Sequence, residues 1–236
     1  MSMFKKFVFA AVALLSVTGQ ANADVVNYSF GTALASSLLE TFDELPVGAT
    51  NTSFSLPDIN SVLTLNNNAQ IVQGTTGTHA APYYNAGAYN GLSPLPSVSS
   101  PDASPYVSVY TGGTATFSFN KPINYFGMEW GSVDTYNYLS FYNGSTLLET
   151  IGGTTIIGAA GLTAGNQGST GTIYANFTSL QDFTKVVASS TGISYEFDNV
   201  RVGNTPLPAS LPMFVAAMMV MGAFGLRNRK GLSAAA

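Results

Sequence analysis

Four carboxylates are the side chains of this sequence best placed for acid–base chemistry: Glu129, Asp134, Glu196 and Asp198. Cleaving a glycosidic bond takes two such groups about 5 to 9.5 Å apart across a cleft. Alternation along a strand argues against Glu129, because its neighbours Met128 and Trp130 turn inward and send it to the solvated face. Other chemistries fail on residue type. The only histidine, His79, lies in a stretch rich in Gly, Ala and Pro, and no Gly-x-Ser-x-Gly elbow presents a serine nucleophile. Without cysteine there is neither a thiol nucleophile nor a thiolate metal site, and one imidazole does not build a zinc centre. No Walker-type phosphate loop is present. The chain reads as non-catalytic, with a carbohydrate-active enzyme using paired carboxylates as the alternative.

Binding is the other use of these residues. Calcium takes six to eight oxygens, which carboxylates, Asn side chains and loop carbonyls supply. The stretch Glu40-Thr41-Phe42-Asp43-Glu44-Leu45-Pro46 and the late Phe197-Asp198-Asn199 resemble the terminal strands of jelly-roll carbohydrate-binding modules. That resemblance implies a structural calcium ion held by Asp43, Glu44, Asp198 and Asn199; the plainer reading is an acidic turn without metal. Alternation also slips at Asp198-Asn199, where Phe197 and Val200 share a face only if the strand bulges. For glycan contact the candidates are Tyr136, Tyr138 and Tyr142, the latter two on the face opposite Leu139 and Phe141. Trp130, which shares a face with Phe126 and Met128, belongs to the core.

The elements that would carry these residues are strands. Between Asp24 and Asn204 no apolar 3.6-residue period is long enough for a helix, whereas period-two runs recur between Gly, Asn, Ser and Pro. They fall at residues 106–110, 114–119, 125–130, 139–143, 146–151, 172–177, 185–188 and 194–202. Asn143-Gly144 predicts a type I′ hairpin. Two stretches interrupt the rhythm: residues 74–104, rich in small and turn-forming residues and carrying Tyr83, Tyr84 and Tyr89, and residues 152–171, expected as a loop over a sheet edge. The pattern predicts an all-β fold, an antiparallel β-sandwich of jelly-roll type, in one domain spanning residues 24–204.

Both ends read as targeting. Lys5 and Lys6 precede an apolar run, and Ala21-Asn22-Ala23 supplies a small-residue cleavage site, so residues 1–23 form a secretory signal peptide with a signal helix. Between the ends lie all twelve acids but only Lys121, Lys185 and Arg201 of the eight bases, a net charge of −9. Such a surface excludes nucleic acid, whose phosphates need clustered cations. It suits divalent cations or neutral glycans.

Residues 205–236 have three parts: Pro206-Leu207-Pro208-Ala209, an apolar run over 211–226, and a basic stop at Arg227, Arg229 and Lys230. As a helix the run is about 24 Å long, short of the ~30 Å hydrocarbon core, which suits a transient transmembrane helix with its basic end in the cytoplasm. The arrangement resembles the PEP-CTERM sorting signals, in the variant with a Pro-Leu-Pro-Ala core. The resemblance implies export by the secretion machinery, a brief stay in the inner membrane, processing by an exosortase, and release to the cell surface or an exopolysaccharide matrix such as that of a biofilm. A permanent, uncut anchor is the competing reading. The stretch from Tyr125 through Gly127, Trp130, Gly131, Ser132 and Asp134, the run Leu139-Ser140-Phe141-Tyr142-Asn143-Gly144-Ser145 and the later Phe197-Asp198-Asn199-Val200 look like a family of exosortase-dependent bacterial surface proteins. That likeness implies a sandwich with no catalytic residues and a structural or adhesive role with exopolysaccharide as its contact.

Overall fold

The computed structural model describes residues 25–83 and 100–205. The cleavage-site residues Ala21 and Ala23, the motif at 206–209, the apolar run at 211–226 and the basic stop lie outside the described residues. Among the described residues no helix is long and apolar enough to cross a membrane.

Among the described residues ten strands and one short α-helix follow in order: β1 (Val26–Phe30), β2 (Leu38–Glu40), β3 (Thr50–Leu56), β4 (Ser61–Gln73), β5 (Pro105–Val109), β6 (Thr114–Gly131), β7 (Asn137–Asn143), β8 (Thr146–Gly152), α1 (Gly153–Ala160), β9 (Ile173–Ser190) and β10 (Tyr195–Gly203). Every pairing is antiparallel, in agreement with the all-β expectation. The sheet runs β2-β10-β5-β4-β6-β9-β7-β8, with β1 on β9 and β3 on β4. This order does not by itself establish a jelly roll.

Its distinctive members are β6 and β9, each of 18 residues. They pair along both their halves, with register slips around Ile123. The early half of β6 faces β4 from Ser61 to Asn66, and its later half faces β10. The slips fall where Asn120, Lys121 and Pro122 on β6, and Leu180, Gln181 and Asp182 on β9, are exposed at a shared corner. A proline has no N–H for the ladder and is at home at such a break. Sequence reading split each of these strands in two; the corner joins the halves.

The two halves enclose one apolar core. Phe117 from the early half of β6 meets Phe126 of the later half at 5.5 Å and Phe197 of β10 at 6.0 Å, and Phe141 meets Phe177 at 5.5 Å. Trp130 is fully buried and stacks on Tyr195 at 4.5 Å, as the core assignment required. The bulge expected near Asn199 is present: the β10–β6 register shifts between Asp198 and Arg201, Asn199 has φ +50°, and Phe197, Val200 and Val202 all enter the core. The β7–β8 hairpin forms with Gly144 and Ser145 as its turn. Only Gly144 has positive φ, at +59°, which fits a type II′ turn rather than the I′ expected from Asn143-Gly144.

Three local features add to the sequence reading or alter it. The expected loop at 152–171 contains α1, anchored by buried Ile156 although its residues are weak helix formers. Of the described residues in the 74–104 stretch, Ala80 and Ala81 are buried against the fold while residues 75–78 are exposed. After β10 Asn124 clamps the chain: Thr205 N–H donates to Asn124 Oδ1 at 2.6 Å, and Asn124 Nδ2 donates to Thr205 O at 3.2 Å.

Candidate functional site

Alternation on β5, β6, β9 and β10 sends one set of residues into the core and the opposite set outward. The outward set is polar: Tyr106 and Ser108, Tyr125 and Glu129, Tyr174 and Asn176, Glu196 and Asp198. Three chain segments cover it. Leu34 N–H donates to the Tyr125 hydroxyl at 3.0 Å, Ala80 N–H donates to Glu196 Oε1 at 3.1 Å, and the Tyr106 hydroxyl donates to Gly74 O at 2.6 Å. The third cover, at 100–104, brings Asp102 against Asp198.

This cover corrects the expectation that Glu129 lies on a solvated face. Its side of the strand was right, but the face is roofed, and Glu129 is only 2% exposed, accepting a hydrogen bond from Asn199 Nδ2 at 2.8 Å. Asp198 is equally buried; Asn199 N–H donates to its Oδ1 at 2.7 Å and its Oδ2 has no hydrogen-bond partner. Desolvation, then the charge of Asp102, pushes the Asp198 carboxyl well above the usual range.

Gly127 keeps this polar layer in place. A Cβ there would lie 2.5 Å from the Tyr125 hydroxyl and 2.9 Å from that of Tyr174. Neither hydroxyl is free to retreat, since Tyr125 donates to Asn176 Oδ1 at 2.7 Å and Tyr174 to Asn199 O at 3.2 Å. Gly127→Ala is expected to cost about 1–3 kcal/mol in urea unfolding, the range for overpacking. Added to Tyr125→Phe, which removes the nearest atom, it should cost less than the sum of the two single changes.

At one end of the polar layer a cavity of about 150 Å³ opens, with Thr78, Ser132, Asp134, Tyr136, Gln167 and Glu196 in its walls. Glu196 is 2% exposed, and burial pushes its carboxyl up to about 7 against the hydrogen bonds it accepts from Ser194 and Ala80. Its Oε1 takes both bonds, and its Oε2 has no partner. Asp134 is half-buried, which raises its carboxyl, partly offset by the Tyr136 hydroxyl donating to Oδ2 at 2.7 Å. Ile193 O competes with Asp134 for the single Tyr136 hydroxyl proton, and the Tyr136 ring lies against Gly192. Of the four acids singled out from sequence, the structure thus gathers Asp134 and Glu196 around one cavity and buries Glu129 and Asp198 side by side on β6 and β10.

A second, open cleft of about 440 Å³ adjoins the first through shared Thr78. Thr50, Asn51, Asn67, Asn68, Gln70 and Tyr110 form the rest of its lining, with no Lys, Arg, Asp, Glu or His among them. Several of these groups are fixed: Thr50 Oγ1 donates to Ala69 O at 2.8 Å and Asn68 Nδ2 to Thr111 O at 2.8 Å. The Tyr110 hydroxyl is tied to His79 Nδ1 at 2.8 Å. Sequence reasoning missed this cleft, whose signals were the Asn66–Asn68 triplet and the β3 polar run.

The other candidates are dispersed. Tyr138 and Tyr142 lie half-buried on the outward face of β7; Tyr138 packs on Gly152, and Lys185 Nζ sits 4.2 Å from the centre of the Tyr142 ring. The expected calcium set does not converge. Asp43 and Glu44 are exposed, Asp198 and Asn199 are buried, and no group of three or more acids or histidines able to hold a metal occurs among the described residues. The reason is alternation: Phe42 packs on Phe197 at 6.2 Å on the core side, while Asp198 faces the other way.

No family model and no curated protein matches this chain. Among solved structures it is similar to catalytic domains of GH87 alpha-1,3-glucanase. Two substituted forms in complex with tetrasaccharides have TM-scores of 0.33 and 0.35 at 15% and 12% identity, covering 62% and 76% of this chain and 28% and 30% of theirs. A third, in complex with nigerose, has a TM-score of 0.36 at 13% identity over 75% of this chain and 30% of its own. The chain spans about a third of the length of those domains, and likeness at this level carries no argument about its chemistry.

Proposed function

We propose that the chain is an exported, non-catalytic protein of the cell surface or extracellular matrix that holds neutral exopolysaccharide in the cleft at Asn51, Gln70 and Tyr110. The observation carrying this reading is the make-up of that cleft: amides, hydroxyls and one aromatic ring, with no ionisable carboxylate or cation in its walls. Sugar hydroxyls pair with amide and hydroxyl groups, and the volume falls in the range of small-ligand sites. The net charge of −9 between the ends disfavours anionic polymers, so the ligand class is neutral. The sandwich is then of jelly-roll type, and the C-terminal Pro-Leu-Pro-Ala segment with its basic stop directs the chain to an exosortase.

Affinity electrophoresis through gels carrying neutral or uronic-acid polysaccharides tests the binding. Retardation is expected with neutral polymer alone. Asn51→Gly, which keeps the left-handed backbone at φ +51°, combined with Gln70→Ala, should weaken it about tenfold, or about 1.4 kcal/mol, with little change in melting temperature. Sugar turnover abolished by Asp134→Asn would replace the binder with an enzyme. The intact mass of protein recovered from the medium tests the sorting: loss of the residues beyond the motif is expected, and a full-length product confined to membranes would refute it.

A further inference from the structure

We propose that the cavity between Asp134 and Glu196 is a divalent-cation site, suited to calcium, in which the two carboxylates and neighbouring neutral oxygens hold the ion. The argument starts from an orphan. Glu196 is almost fully buried, and while its Oε1 is satisfied by Ala80 N–H and by Ser194, its Oε2 meets no donor. A buried carboxylate oxygen without a partner is costly, and such groups occur where something is bound or a proton is held.

The second carboxylate sharpens the point. Asp134 spends Oδ2 on Tyr136, while its Oδ1 faces Gly165, another wall of the same cavity, where a Cβ would come within 3.0 Å of it. Two ionised carboxylates around one small space repel unless a positive charge intervenes. The cavity walls supply none. Of the three Lys and Arg side chains among the described residues, Lys185 sits over Tyr142, Lys121 lines a different hollow beside Pro122, and Arg201 donates to Ser37 O; His79 is tied to the Tyr110 hydroxyl.

What the walls do supply is hard oxygen: Ser132 and Thr78 hydroxyls, the Tyr136 phenol and the Gln167 amide. With no nitrogen or sulfur ligand from His or Cys, the donor set suits calcium or magnesium rather than a transition metal. Calcium accepts an irregular shell of six to eight oxygens, whereas magnesium demands a regular octahedron, so this mixed set favours calcium. The site differs from the Asp43, Glu44, Asp198 and Asn199 constellation expected from sequence. It lies at Thr78 beside the amide cleft, so the ion would brace one wall of that cleft.

A cation held by Glu196 binds its ionised carboxylate and so competes with the proton, which fixes the test. Isothermal titration of CaCl2 into the full-length chain at about pH 8 is expected to give one binding event, with heats near neutrality that vary with the buffer as protons are released. Binding should vanish at about pH 5. Asp134→Asn and Glu196→Gln should each weaken it at least tenfold, and Asp43→Asn should leave it unchanged. Asp134 is only half-buried, so that variant keeps the test intact even if Glu196→Gln folds poorly. No calcium-dependent heat or melting shift at about pH 8 would overturn the proposal, as would binding lost in Asp43→Asn but undiminished in Asp134→Asn.

Discussion

In the presence of a chelator, the melting temperature of this protein is expected to fall as pH rises from about 4.5 to about 7. Glu196 is the main cause. Burial lifts its carboxyl from 4.5 to about 7, so the native state keeps a proton that the unfolded chain has already given up across that window. The stability tied to this group is therefore complete below about 4.5 and gone once pH passes about 7. At 1.36 kcal/mol per pH unit the loss is about 3 kcal/mol, on the order of 10 °C for a domain of this size. Asp198 acts in the same direction, because desolvation and Asp102 raise it as well. Glu196→Gln should flatten most of the slope and melt above wild type at about pH 8, since an amide can still accept from Ala80 and carries no buried charge. A melting temperature that climbs steadily from about pH 5 to about pH 8 without added metal would refute this.

Two glycines five residues apart in α1 are expected to respond in opposite directions to the same substitution. At Gly153 a Cβ would lie 1.9 Å from the carbonyl oxygen of Asp134, a contact that only a backbone shift can relieve. Gly153→Ala should cost 3 kcal/mol or more, the upper end for overpacking, because the obstacle is main chain rather than a flexible side chain. It should also displace Asp134 and weaken calcium binding. Gly158 is exposed, with nothing within 4 Å of an added Cβ. Gly158→Ala should stabilise by about 0.5–1 kcal/mol through helix propensity. Chemical unfolding of the two variants side by side decides the matter; equal effects would mean that α1 is not seated as described.

The contrast between these glycines illustrates what a sequence carries and what it withholds. Period-two runs at 114–119 and 125–130 were legible, because Phe117, Phe126, Met128 and Trp130 alternate with polar neighbours. Their union into β6 was not, since Asn120-Lys121-Pro122 reads as a break and becomes a corner only when β4, β9 and β10 are in place. The early strands were hidden for a related reason: β3 is mostly Thr, Asn and Ser, and Asn66–Asn68 interrupt β4 midway. Helix α1 escaped because eight residues that include two glycines and two threonines give no period to detect.

The site followed the same rule. Alternation assigned Glu129 to the face opposite Trp130, but nothing near it in sequence announces the roof contributed by residues around Leu34, Ala80 and Asp102. Asp134 and Glu196 were singled out by type; their meeting around one cavity depends on β10 returning beside the end of β6. Asp43 failed to join Asp198 because one strand face cannot serve both the Phe42–Phe197 contact and an outward carboxylate.

The clamp between Asn124 and Thr205 has a mechanical consequence. Tension drawn through Thr205 passes both into β10, along the chain, and into the middle of β6, one of the two strands that belong to both halves. The load is thus shared by two neighbouring strands, β10 through its own chain and β6 through the Asn124 side chain.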